Sequence, residues 1–439
     1  GTAALNIPVG EEYRQYVSLS HNQSDGYRYN TDFDKTNLFM QSELDALGGT
    51  FSMMGGYTDR AFGANGFYAS PQFKDQWESV QTGLASLGYK WSGSSATIKP
   101  RLYWRLNDDT YRLRRDEPDF YENNHQTDVY GGEVQSSIRT EAGKTGIGFE
   151  YRQEHINSSN LGDHDRTNLG MYAEHRVTLF ERLTLTPGFY LNWYSDYDWN
   201  VFPGIDATFN LTSRLKWTAN VGKSYRVPTY TDLYYNGPTN VGNPDLQPEE
   251  ALSYETGLRW VSSYLFAQAN AYLRDADQLI DWVRDAQDEP WRPENFYNVE
   301  TRGFEMQTEF MPASFFSSSI LKRIERITLN YNYIDSELKN EAGVNSQYAL
   351  QYLRHQIQAG LSYRLYGNLH HSVHYKFADR NSDQLENYNI VDTKLSWREA
   401  GWSVYVEATN LLSDDYLGPN LIPMPERWVR GGFSYNLDF

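Results

Sequence analysis

Asp25, Asp32 and Asp34 lie close together in one polar stretch and offer carboxylate oxygens of the kind that hold calcium. They lack the spacing of a dedicated calcium loop. Arg112, Arg114 and Arg115 crowd into RLRRDEPDFYENNH. Such cations suit an anionic iron chelate, or they neutralise Asp116 and Glu117 beside them. Tyr27, Tyr29, Phe67, Tyr68, Tyr230, Tyr234 and Tyr235 fall in polar connections. Rings there give a bulky, rigid ligand a large contact area at small entropy cost, and serve equally for packing one loop on another. His21, His125 and His164 lie in or near connections, and none falls in the long stretch after Tyr225 where a haem ligand would be sought. No Ser-His-Asp order, Gly-rich phosphate loop or metal-ligand spacing stands out. With Cys at 0, disulfides and thiolate metal sites are excluded. The chemistry on offer is binding, and an enzyme is not expected.

The elements that would position these groups are strands. Aromatics make up 15% of the chain, with 35 Tyr and 12 Trp, yet the mean hydropathy is −0.69. A transmembrane β-barrel reconciles the two, because its interface girdles are aromatic and its lumen is polar. No apolar run approaches the length of a spanning helix. The net charge of −18 disfavours nucleic acid as a partner. No targeting segment is recognisable in the first residues.

Leu183–Trp193 alternates at period two: Leu183, Leu185, Phe189, Leu191 and Trp193 on one face, Thr184, Thr186, Tyr190 and Asn192 on the other. Ile327, Leu329, Tyr331 and Tyr333 alternate with Thr328, Asn330 and Asn332 in the same way. Short turns alternate with long polar connections, as in outer-membrane barrels with short periplasmic turns and long outer loops. The connection around Pro312–Arg323 is long on the short-turn side and breaks the rule. The pattern predicts an all-β transmembrane antiparallel barrel over 1–439, about 22 strands when complete, of which this chain supplies about 21 beginning at Ala3–Val9. The expectation is a chain without its first strand. At the other end Phe433, Tyr435, Leu437 and Phe439 share one face. This resembles the signal by which the outer-membrane assembly machinery takes in barrels, and it also suits a last strand closing the sheet.

Two boxes carry a family resemblance. Tyr225-Arg226-Val227-Pro228 ends one strand, and Asn243-Pro244-Asp245-Leu246-Gln247-Pro248-Glu249 leads into the next. Pro228, Pro244 and Pro248 cannot donate ladder hydrogen bonds, so the stretch between is loop. From Leu252 a membrane-facing alternation resumes through Tyr254, Leu258 and Trp260. This two-box loop resembles that of the TonB-dependent outer-membrane transporters. SDGYRYNTDF and YTDLYYNGPTNVGNPDL are similar to the cobalamin-transporting branch found in Bacteroidetes. The resemblance implies active import across the outer membrane of a Gram-negative bacterium, with a corrinoid as cargo and a ferric siderophore or haem as the alternative. It implies a plug inside the barrel, on which TonB pulls. That plug normally precedes the barrel and is not in this sequence. It further implies outer-membrane lipid around the wall and a surface lipoprotein that captures ligand. No cofactor is expected beyond a structural calcium. A passive porin or a barrel enzyme would need a smaller barrel and, for the enzyme, a nucleophile cluster.

Overall fold

The computed structural model describes the chain except residues 69–71, 238, 285–288, 340–344, 347–351, 382–384, 419–420 and 437–439. One antiparallel sheet takes in most of it, with 22 strands among the described residues, from Thr2–Val9 to Trp428–Tyr435. One of the 22, Asn345–Ser346, is a two-residue piece pairing back onto Leu265–Arg284, which leaves 21 that build the wall. Successive wall strands are hydrogen-bonded neighbours. The sheet curls until its ends meet at the outer side. There the Tyr27 hydroxyl donates to the Pro423 carbonyl at 2.6 Å, and the Tyr27 ring meets Trp428 edge-on at 6.2 Å.

Period-two sequence becomes a two-faced wall because antiparallel partners point the same way. Met53 lies opposite Leu87, and Leu87 opposite Leu102. Phe149 lies opposite Met171, Met171 opposite Leu191, and Leu191 opposite Val201. Ile327, Leu361 and Val373 continue the row. These apolar side chains form the outer, lipid-facing band. The other face is wet and charged. Tyr103 donates to Glu150 at 2.6 Å, Arg152 reaches Glu154 at 2.8 Å, and Arg101 reaches Glu133 at 3.1 Å. The Tyr103 ring lies over Gly131, where a Cβ would collide with it.

The turns at one end are tight. Leu47 and Gly48 both take positive φ, 55° and 73°, the mirror-image turn that matches strand twist. At the other end the strands run to as many as 20 residues, where about 9–11 suffice to cross a bilayer. The wall therefore rises above the lipid, and the strands take in the polar stretches 59–63, 107–112 and 277–284. Two outer connections, 159–161 and 195–196, are as short as the periplasmic turns, so long and short do not alternate regularly. Polar residues on both faces let strands continue in water, and this length was not legible from a membrane-crossing pattern. The exceptional short-side connection holds a helical turn, Pro312–Phe315, and a 3-10 turn, Leu321–Arg323.

Thr2–Val9 and Trp428–Tyr435 each pair on one side only among the described residues. Direction alternates along the wall, so with an odd number of strands these two run the same way. At the C-terminal edge Phe433 lies opposite Val404 and Tyr435 opposite Trp402 on the outer face. Leu437 and Phe439 lie outside the described residues.

The two faces predict opposite tolerances. Phe149→Arg puts a charge into the lipid band and costs about 2–4 kcal/mol at mid-depth. Gln135→Arg, facing water inside, stays within about 0.5 kcal/mol of the parent. Urea unfolding in detergent or vesicles measures both, and equal losses would contradict this assignment of faces.

Candidate functional site

The two-box loop begins where the strand Leu215–Arg226 ends. Pro228 is buried, and Thr229 caps a short helix, Tyr230–Tyr234. The cap is reciprocal: the Thr229 hydroxyl accepts from the Asp232 amide at 3.1 Å, and the Asp232 carboxylate accepts from the Thr229 amide at 3.0 Å. The sequence expectation of plain loop missed this helix. Its signal was present, in a Thr followed three residues later by an acid.

Arg226 joins the two boxes. Its Nε lies 2.9 Å from Glu249 Oε1, and it reaches Asp232 at 3.4 Å and the Ile280 carbonyl at 3.4 Å. Glu249 Oε2 also accepts from the Ile280 amide at 3.0 Å. Burial disfavours the Arg226 cation, and Glu249 and Asp232 offset this. Both carboxylates are buried. Behind them Leu233, Leu246 and Ile280 pack together with Tyr234. Asn243 turns the second box: its Oδ1 accepts from the Asp245 amide at 3.0 Å and its Nδ2 donates to Pro293 at 3.2 Å. Gln247 is held by Asn295 on both sides of its peptide, at 2.9 and 2.8 Å. Pro244 and Pro248 flank these turns. Tyr225 packs on Phe202 with ring centres 5.1 Å apart.

Three groups that sequence reasoning did not single out for this loop clamp it from outside. Arg166, 3% exposed, donates to the Pro228 carbonyl at 3.0 Å, pairs with Asp196 at 2.8 Å and lies over the Tyr230 ring at 4.8 Å. His164 stacks on Tyr234 at 3.8 Å and on Tyr230 at 5.8 Å, with its Nε2 2.7 Å from the Leu161 carbonyl. Asn160 and Asn236 exchange hydrogen bonds at 2.8 and 3.1 Å. No local pattern links residues so far apart in sequence.

A file of rings crosses the mouth. Phe67 meets Tyr68 at 4.9 Å, Tyr68 meets Tyr111 at 5.4 Å, and Tyr111 meets Tyr121 at 6.4 Å. The Tyr121 and Tyr235 hydroxyls are 3.3 Å apart, and Tyr235 meets Trp282 at 6.4 Å. The structure thus brings Phe67, Tyr68 and Tyr235 into one file and adds Tyr111, Tyr121 and Trp282. Tyr230 and Tyr234 belong to the His164 stack. Tyr27 holds the meeting of the sheet ends, and Tyr29 donates to Asp75 at 2.5 Å. Burial of their hydroxyls raises the phenols of Tyr68 and Tyr235 above their ordinary value, helped by hydrogen bonds to Glu78 and Tyr121 respectively.

The charged candidates are engaged elsewhere. Arg112 pairs with Glu122 at 2.7 Å, Arg114 with Glu117 at 2.8 Å and Arg115 with Asp32 at 2.8 Å. Asp25, Asp32 and Asp34 are not brought together as a cation site: Asp32 faces Arg115, and Asp34 stands 3.7 Å from His21. Among the described residues the one grouping of metal-ligating atoms is His155, Asp163 and Asp165, within 4.8 Å of one another on neighbouring strands.

Residues 10–411 match the family described as TonB dependent receptor-like, beta-barrel. The chain belongs to that family. Its members are receptors and transporters of the outer membrane, not enzymes. The vitamin B12 transporter BtuB of Photobacterium profundum is 27% identical over 230 residues, which are 50% of this chain and 35% of that protein. BtuB of Vibrio vulnificus (strain YJ016) is 30% identical over 112 residues, 26% of this chain and 17% of that one. The matches thus span at most about a third of these curated relatives. Among solved structures, the siderophore receptor PirA of Acinetobacter baumannii aligns with a TM-score of 0.80 at 12% identity, over 99% of this chain and 77% of that one. The copper transporter OprC aligns at 0.79 and 14% identity, over 99% and 79%. At such identities these two speak for the fold alone.

The Arg226 network predicts how firmly the loop is held. Glu249→Gln removes the charge that Arg226 and the Ile280 amide share. Because Arg226 is partly exposed, the cost is about 1–3 kcal/mol, below that of a fully buried pair. Chymotrypsin should then cut at Tyr230–Tyr235 at least fivefold faster than in the parent, and Thr229→Ala, worth about 1 kcal/mol of capping, should lie between. Unchanged cleavage in Glu249→Gln would contradict the network's role.

Proposed function

We propose that this barrel is the wall and outer mouth of an active importer for a corrinoid. One observation carries the substrate class: the ring file from Phe67 to Trp282, set at the mouth. Large rings suit a wide, rigid macrocycle. The arginines that an anionic iron chelate would seek are already paired. The vitamin B12 transporters among the relatives support the same choice. A ferric siderophore is the alternative. Haem is disfavoured, because His164, the imidazole against the two-box loop, is stacked on Tyr234 with its Nε2 at a backbone carbonyl.

In this reading the intact protein carries a plug within the wall, and TonB pulls on the plug to open a path. One further antiparallel strand between Thr2–Val9 and Trp428–Tyr435 would satisfy both edges, since a direct pair would be parallel. A surface lipoprotein would deliver the ligand, and the assembly machinery would read the C-terminal strand.

Calorimetric titration of plug-containing protein with cyanocobalamin, a ferric siderophore and haemin tests the choice. Heat is expected with cyanocobalamin alone. Tyr121→Ala and Tyr235→Ala should each weaken binding by about tenfold to a hundredfold, on the order of 1–3 kcal/mol. Binding of an iron ligand without the corrinoid would overturn the substrate and leave the importer standing.

A further inference from the structure

The connection 311–323 is the long one on a side of tight turns, and its residues have a consistent chemistry. Phe310 ends its strand on the outward face, opposite Leu265 and Ile327 of the lipid band. The connection then folds back onto that face. Phe315 lies 4.7 Å from Tyr264 and 6.2 Å from Phe310, and Phe316 lies 4.8 Å from Phe315 and 6.3 Å from Phe310. Ile320 is left 75% exposed. In water such a cluster would be unfavourable, whereas against the apolar band it continues a surface already in lipid. Leu47, Phe180 and Tyr366, exposed at the tips of other short turns, stand on the same side.

The polar part of the segment is one-signed. Residues 311–323 carry Lys322 and Arg323 and no acidic residue, in a chain of net charge −18. Arg323 donates to the Leu365 carbonyl at 3.2 Å, which pins the basic turn beside the hairpin carrying Tyr366. Of the nearby acids, Glu309 pairs with Arg326 at 3.0 Å, and a Glu325 carboxylate oxygen lies 2.9 Å from His370 Nδ1.

We propose that residues 311–323 form an interfacial anchor in the inner leaflet of the outer membrane. Phe315, Phe316 and Ile320 enter the boundary between headgroups and acyl chains, and Lys322 with Arg323 holds the phosphate of an anionic phospholipid. Aromatic rings and basic side chains divide an interface in this way, the rings at headgroup depth and the cations reaching out to phosphate. The proposal needs the barrel to lie in the membrane and is independent of what it transports.

The absence of cysteine makes a single label unique. A nitroxide on Ile320→Cys is compared with one on Phe149→Cys in the lipid band and one on Glu141→Cys in a short turn. The protein is reconstituted in phosphatidylcholine vesicles with and without phosphatidylglycerol. Collision with a water-soluble nickel complex should be at least threefold rarer at position 320 than at 141. It should fall further with phosphatidylglycerol, and the pair Lys322→Gln and Arg323→Gln should remove that second decrease. Nickel access equal to that at 141 would overturn the anchor. Equal access in both lipids would overturn the phosphate contact.

Discussion

Lipid offers the backbone no hydrogen bond, and the rest of this structure follows from that one deficit. Each peptide group in the membrane must find its partner in a neighbouring strand. Strand pairing fixes the register, and register fixes which side chains face lipid: Phe149, Met171, Leu191 and Val201 form one row because they are paired across successive strands. A slip of one residue would turn Glu150 and Arg152 into the bilayer. The charged lumen and the greasy exterior are therefore the same decision seen from two sides.

The two-box loop solves a different problem, since above the membrane the backbone could be solvated. There side chains do the holding. Arg226 ties the first box to the second through Glu249 and to the helix between them through Asp232, while Leu246 inserts beside Leu233 and Ile280. The boxes stand far apart in sequence and side by side in space because the strands carrying them are paired, Arg226 opposite Glu249. The motif residues with buried contacts are thus occupied with shaping the loop.

The wall was legible in the sequence because alternation at period two is local: Leu183–Trp193 announces its own strand, observed as Leu183–Tyr194. The two boxes were legible as punctuation by proline and asparagine. The pairings across the mouth were not. Tyr121 meets Tyr235 and Arg115 meets Asp32 only because separate loops converge, and no pattern in either loop specifies the other. The partners of the aspartates were hidden for the same reason. Asp32 and Asp34 are near in sequence, yet one turns to Arg115 from a neighbouring loop and the other faces His21 across the hairpin.

Loop convergence also gives the mouth a mechanical character that the wall alone lacks. Tyr27 reaches Pro423, Tyr29 reaches Asp75, Arg115 reaches Asp32, Tyr121 reaches Tyr235, and Asn160 reaches Asn236. These contacts run from loop to loop around much of the rim, and the first of them bridges the place where the sheet's two edges are unpaired among the described residues. Most are single hydrogen bonds between exposed or half-buried groups, each worth about 0.5–1.5 kcal/mol. Such links are strong enough in sum to hold the rings in file and weak enough singly to break in succession. The two-box loop is held differently, since drawing the half-exposed Arg226 away would leave the buried Glu249 and Asp232 carboxylates without their cation. Parting Tyr121 from Tyr235 therefore costs little while the Arg226 network stays closed, which makes the ring file the compliant section of the rim and the box loop its fixed edge.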